Sequence, residues 1–373
     1  MKLEIRDVYC YESAMKHLYT IPVLLGLAVV LGSVPVFAQE DIEQKTAKRD
    51  VGTFSFQLEN DLFAGTDRHY TNGTRISWLS PDGETIEFLD TMRDTLKSVA
   101  MDATGSDGRD KEVRFGVSLG QDIYTPENGV RTDLVTDDRP YAGWLYMAKS
   151  LHTITKSSNR AQGRPDRLES VEFQLGIVGP AALGKAVQNE VHELRNIDTF
   201  KGWQNQLHNE PGLMLLYERK WRVDVPTRDG FGEIDVIPRM GGSIGNVLTH
   251  ANMGGAVRWG WNLPEDFGPA NLIQGGAPFM DTNRDMLELA SVYLFASAEG
   301  RVVAHNIFLD GNTFRSSHSV DKRNLVGDLT FGATLMLGPV NLTYSNTHRS
   351  REFEGQQGTS RFGALTVSFE ATF

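Results

Sequence analysis

Residues 363–373 read Gly363-Ala364-Leu365-Thr366-Val367-Ser368-Phe369-Glu370-Ala371-Thr372-Phe373. Gly363, Leu365, Val367, Phe369, Ala371 and Phe373 alternate with Ala364, Thr366, Ser368, Glu370 and Thr372. A strand turns successive side chains to opposite faces, so this segment has one apolar and one more polar face.

An edge strand of a soluble sandwich would show the same alternation. The terminal phenylalanine weighs against that reading, because it resembles the C-terminal strand by which outer-membrane barrels are recognised for insertion. Working back to Val51, segments of about ten residues alternate in the same way between polar, Gly- or Pro-containing turns, as in a transmembrane barrel. Closure suits the bilayer because it leaves no unpaired backbone edge in lipid. Twelve strands are expected, near 51–60, 71–80, 111–124, 140–154, 166–179, 210–221, 231–245, 250–262, 286–304, 324–338, 339–353 and 360–373. The fold class is therefore an all-β, antiparallel transmembrane barrel of twelve strands. Helical spacing of Ile86, Leu89, Met92, Leu96 and Val99 predicts a small amphipathic helix over 84–100.

The other end of the chain agrees. Lys16 and His17 precede an apolar run, Ile21 to Val36, which closes on Val36-Phe37-Ala38. A basic start, an apolar middle and a small final residue make a secretory signal peptide, expected over 1–38. Met15 would serve as an alternative start. A polar lead-in follows over 39–50, and the barrel occupies 51–373. The only cysteine, Cys10, lies in the segment expected to be removed, so no disulfide holds the rest. That segment carries three basic residues (Lys2, Arg6, Lys16) and three acidic ones (Glu4, Asp7, Glu12), so the net charge of −11 survives cleavage. An acidic chain with no basic excess offers no nucleic-acid footprint.

If the first strand rises to the cell surface, the connections after odd strands are extracellular: 61–70, 125–139, 180–209, 246–249, 305–323 and 354–359. The connection 180–209 carries a helix pattern. Two Gly-x-Ser-x-Gly stretches, around Ser118 and Ser243, sit inside alternating strands with no helix following, so neither makes a nucleophile elbow. Polar groups crowd the ends of the odd strands instead. Asn60 and Asp61 close the first strand, Thr71 opens the second, Arg131 follows the third, and Gln188 and His192 share a helix face at i and i+4. A histidine near neutral pH takes a proton from water, and a carboxylate such as Asp61 with carbonyl oxygens holds Ca²⁺. Such a set suits ester hydrolysis. Read singly, Asn60 and Asp61 could begin a turn, and Arg131 could be a surface charge or a phosphate contact.

Several separated motifs are similar, in order, to the outer-membrane lipid A 3′-O-deacylase family. They are Asn60-Asp61, Asp67-Arg68-His69-Tyr70-Thr71-Asn72-Gly73, Gln121-Asp122-Ile123-Tyr124-Thr125-Pro126, Asp138-Arg139-Pro140-Tyr141-Ala142-Gly143, Val178-Gly179-Pro180, Val187-Gln188-Asn189 with His192, and Trp203-Gln204. The resemblance implies a twelve-stranded barrel and a Ca²⁺-dependent hydrolase that removes the 3′-linked acyloxyacyl group. It implies site residues Asn60, Asp61, Thr71, Gln188 and His192, with Arg131 where the family often has lysine. Asp61 would help hold Ca²⁺. Leu62 stands where relatives sometimes carry a second acid. The expected partner is lipopolysaccharide of the outer leaflet, and the expected state is a monomer in the bacterial outer membrane. A phospholipase-type barrel and a non-catalytic pore or structural barrel are the alternatives.

Overall fold

The computed structural model describes residues 51–61, 69–81, 111–156, 166–194, 196, 198–228, 230–269 and 290–372. The expected signal peptide, the lead-in over 39–50 and the expected helix over 84–100 lie outside these residues. Twelve antiparallel strands close into a barrel, each paired with its sequence neighbours and β1 with β12. They are β1 Val51–Asn60, β2 His69–Leu79, β3 Lys111–Thr125, β4 Ala142–Thr155, β5 Asp166–Val178, β6 Glu210–Val225, β7 Glu233–Gly245, β8 Leu248–Trp261, β9 Ala290–Asn306, β10 Leu325–Leu337, β11 Val340–Arg349 and β12 Ser360–Thr372. The expected strands are all present, and eleven of the twelve first residues fall within two positions of those expected; the ninth starts four later. The helix expected in the connection after β5 is α1, Gly184–Leu194. A second, four-residue helix, α2 (Ile307–Asp310), caps the end of β9.

The alternation of the last strand sets the sides of the wall. Phe369 is exposed and stacks on Phe54 of β1 at 5.5 Å, while Thr366 and Ser368 are buried. The outward positions of the other strands are also large and apolar, among them Phe56, Ile76, Leu119, Met147, Leu175 and Leu215. A belt of this kind belongs against lipid rather than water.

The inward positions are charged. Arg75 donates to Glu172 (2.7 Å) and Ser118 (2.8 Å) across β2, β5 and β3. Asp328 takes Arg301 at 2.6 Å and Arg349 at 2.9 Å. Arg258 is clamped by Asp235 and Asp266. Removing one partner from such a buried pair costs about 3–5 kcal/mol. Towards the end of the barrel that carries α2, Trp144, Tyr146, Met214, Phe308 and Phe362 form an apolar cluster. Both serines of the Gly-x-Ser-x-Gly stretches lie within strands, Ser118 in β3 and Ser243 in β7, and neither begins a helix.

Candidate active site

The register places the site on the outer wall. Asn60 pairs with Gly363 and with Asn72, Asn72 with Ile123, and Ile123 with Gly143. These five residues make one row across β12, β1, β2, β3 and β4. Asn60 continues the outward file of Phe54, Phe56 and Leu58, and Asn72 that of Thr74, Ile76 and Trp78. On a bare wall the row would be as open as Ile76 (53% exposed) or Met147 (64%). Instead Asn60 and Asn72 are each 7% exposed and Ile123 is fully buried. The wall is covered here.

Part of the cover is α1. The chain leaves β5 at Gly179, whose φ of 101° only glycine adopts without strain, and whose N–H donates to the Gly143 carbonyl at 2.9 Å. A turn at Pro180–Ala182 and a left-handed Leu183 then aim the chain into α1. Gln121, an outward residue of β3, donates to the Ala182 carbonyl at 2.6 Å and pins the turn. Gly143 lets the helix start close to the wall: a Cβ there would meet the Ala182 Cβ at 3.1 Å and the Gly184 nitrogen at 3.2 Å.

On α1 the buried stripe is Gly184, Gln188 and His192, spaced by four, while Lys185, Ala186, Glu190 and Glu193 are exposed. A helix buries one such stripe against its support. Here two of the three are polar, and burial requires hydrogen-bond partners for them. Around them Ile123, Tyr141 and Trp203 form an apolar cluster with Val187 and Phe200 against it. His192 lies edge-on to Phe200, with centroids 5.4 Å apart. Its Nδ1 is 2.8 Å from the carbonyl oxygen of Asp198. A carbonyl only accepts, so the neutral ring carries its proton on Nδ1 and its lone pair on Nε2. Gln188 Oε1 accepts from the Trp203 indole at 3.0 Å. Among the described residues, nothing hydrogen-bonds the buried Gln188 Nε2 or the buried Asn72 Oδ1.

The other expected site residues fall as follows. Asp61, at the end of β1, is fully buried. Tyr70 pairs with Tyr124 and Asn72 with Ile123, so Thr71 is the extra residue of a β-bulge. Bulges of this kind concentrate beside active sites. Arg131 is not gathered into the buried set. It lies in the connection after β3, half exposed, and its guanidinium binds Asp133. That connection nonetheless flanks α1's return path: Gly129 accepts from Lys201 at 2.8 Å, and Thr132 from Asn205 at 3.0 Å. Sequence reading did not single out Asn72 as a site residue. Its parity with Ile76 and Trp78, in a β2 whose inward file is Arg75, Ser77 and Leu79, was the available signal.

Calcium takes hard oxygen donors. The buried Asp61 carboxylate and the buried, unpartnered Asn72 Oδ1 fit that preference in kind. Among the described residues no group of three or more His, Cys, Asp or Glu side chains gathers, so the remainder of a calcium shell would be carbonyls, amide oxygens and water.

A lipid-facing apolar belt, a charged lumen and a covered polar site on the outer wall define a bacterial outer-membrane β-barrel. The model of the family described as outer membrane protein LpxR matches residues 24–371, and the chain belongs to that family. The solved structure of LpxR from Salmonella typhimurium matches with a TM-score of 0.64 at 18% identity, over 85% of this chain and 99% of that one. The autotransporter translocator domain of NalP from Neisseria meningitidis (TM-score 0.40, 9% identity, 98% of this chain and 99% of that one) is a more distant likeness. So is the β domain of the Bordetella autotransporter BrkA (TM-score 0.44, 8% identity, 88% of this chain and 100% of that one). No curated protein sequence matches the chain.

Proposed function

We propose that this barrel is an esterase that hydrolyses the 3′-linked acyloxyacyl group of lipid A in the outer leaflet. The observation that carries this reading is the contact between Nδ1 of the buried His192 and the Asp198 carbonyl oxygen. A buried imidazole, held through Nδ1 by a carbonyl and basic at Nε2, stands on the outer wall rather than in the lumen. That wall faces acyl chains, so the substrate reaches the site laterally without leaving the membrane.

In this reading Nε2 of His192 takes a proton from a water whose oxygen attacks the ester carbonyl carbon. The C–O bond to the sugar breaks as the tetrahedral intermediate collapses. The imidazolium returns its proton to the sugar oxygen, leaving a 3′ hydroxyl and a carboxylic acid. Gln188, Thr71 and Asn60 position the water and the ester, and Arg131, exposed beside the site, suits a lipid A phosphate. Asp61, with Asn72, would hold Ca²⁺, which when bound supplies positive charge near the ester carbonyl. The chain acts as a monomer.

The charged pairs and the aromatic cluster that fill the lumen weigh against an open pore. Mass spectrometry of lipid A from cells expressing the chain, beside cells with equal levels of His192→Ala, tests the proposal. Loss of a 3′ acyloxyacyl group only with the histidine intact is the expected result. Unchanged lipid A in both, with inserted barrel and added calcium, would sink it and turn attention to phospholipids.

A further inference from the structure

We propose that Trp203 is a positioning residue for this reaction: its indole N–H holds Gln188 so that the carboxamide presents its NH₂ group, as a hydrogen-bond donor, to the ester oxygen. The proposal rests on the hydrolase reading above and assigns a direction to Gln188 that the reading leaves open.

The chemistry of the pair fixes the direction. An indole nitrogen donates and never accepts. The atom of Gln188 that faces Trp203 Nε1 at 3.0 Å is therefore the oxygen. The amide is planar, so its NH₂ group points away from the indole. That group is buried and has no partner among the described residues. A protein leaves a buried donor unpaired at a standing cost, and a carbonyl oxygen gathering negative charge is the acceptor that would repay it. Without the indole, the carboxamide could turn over and offer its oxygen, which repels an oxyanion.

Trp203 is itself built to stay in place. It is 1% exposed, packs on Tyr141 at 5.0 Å, and closes on Gly184, where a Cβ would come within 3.1 Å of its ring. It arrives from a short turn, Trp203–Asn205, on the far side of the segment that also supplies Asp198 and Phe200. One return segment thus orients both polar residues of the α1 stripe, His192 through a carbonyl and Gln188 through an indole.

The test is a double-mutant cycle on the purified, refolded barrel with lipid A and calcium, comparing wild type, Trp203→Phe, Gln188→Ala and the double variant. Trp203→Phe is expected to lower kcat by roughly 10- to 100-fold, a cost typical of a misdirected group, while KM stays within about threefold. The double variant should be no slower than Gln188→Ala, because Trp203 acts only through the amide. A merely structural tryptophan would instead multiply its cost onto that of Gln188→Ala, and that outcome overturns the proposal. Should Trp203→Phe fail to insert, Gln188→Glu decides: the indole still holds one oxygen but the other cannot donate, so activity should fall as far as in Gln188→Ala. Retained activity in Gln188→Glu would overturn the donor role. A wild-type barrel that leaves lipid A intact refutes the hydrolase reading and takes this proposal with it, whereas an active wild type with multiplicative costs refutes the positioning role alone.

Discussion

The Nδ1 atom of His192 and the carbonyl oxygen of Asp198 stand 2.8 Å apart, and this contact decides which nitrogen of the ring is basic. His192→Gln keeps most of the volume, and its amide still donates towards Asp198, but it offers no basic nitrogen. General-base catalysis contributes about 10²- to 10⁴-fold. Initial rates on vesicles carrying lipid A should therefore fall by that factor, with the barrel still migrating as a folded species on unheated gels. A rate within a factor of a few of wild type would remove His192 from the chemistry.

Gly143 and Gly184 are the contact through which α1 begins on the wall. A Cβ at Gly143 would sit tight against Ala182 and Gly184, and a branched side chain has no space there. Gly143→Val should leave the β3–β4 ladder paired and the barrel inserted, yet lift the start of α1. A displacement of about 1 Å at a reacting group costs on the order of 10²-fold. Activity down by that order at normal outer-membrane levels is the expected outcome. Unchanged turnover would mean that the helix needs no close seat.

Much of this was legible in the sequence, because lipid on one side and a polar lumen on the other impose the same period of two on every strand. The terminal strand alone, from Gly363 to Phe373, carries the alternation that the structure realises as Phe369 outward and Ser368 inward. Gln188 and His192 were legible as an i, i+4 pair because a helix puts them on one face whatever it packs against. Which face, and against which wall, was not. That depends on register, Asn60 with Asn72 and Ile123 with Gly143 between neighbouring strands and Asn60 with Gly363 across the closure, and on the positive φ at Gly179 that turns the chain outward. Trp203 was legible only as part of a family motif, since its partner Gln188 lies across a loop whose path has no periodic pattern. Arg131 is near the site by its place in the chain, and its pairing with Asp133 in solvent has no signature in the sequence pattern.

Arg139 ties the connection after β3 to the one after β11. Its guanidinium donates to Glu352 at 2.7 Å and lies 5.5 Å from the ring centres of both Tyr124 and Phe353. Burial pushes the Glu352 carboxyl upward, but Arg139 and Arg349 outweigh it and hold the group below its ordinary value of 4.5. A depressed folded value means stability that is present above the unfolded value and lost as pH falls through the folded one. The tie should hold throughout neutral and mildly acid pH and weaken only below about 4.5. Glu352→Gln should lower the urea midpoint of the refolded barrel at pH 7, by the equivalent of up to about 3–5 kcal/mol for a broken buried ion pair. It should also flatten the fall of that midpoint below pH 4.5. A variant that keeps the full acid sensitivity of wild type would place the titrating group elsewhere.

Asp61 is a buried carboxylate directly after β1, with Leu62 following where a second acid would have strengthened a cation site. If Asp61 helps hold Ca²⁺, two measurements should move together. The wild-type barrel should gain resistance to urea as calcium is added, by about 2.7 kcal/mol at a hundredfold excess over Kd. Lipid A turnover should rise over the same calcium range. Asp61→Asn keeps the shape and an oxygen donor but removes the charge that draws a hard cation. It should shift both curves to calcium concentrations at least about tenfold higher, the equivalent of about 1.4 kcal/mol. Stabilisation is read without substrate, so it separates a lost cation site from a damaged catalytic group. Stabilisation by calcium that is untouched in Asp61→Asn would assign the ion to other ligands. Turnover that persists in a chelator would remove calcium from the reaction and leave His192 and Gln188 to carry it.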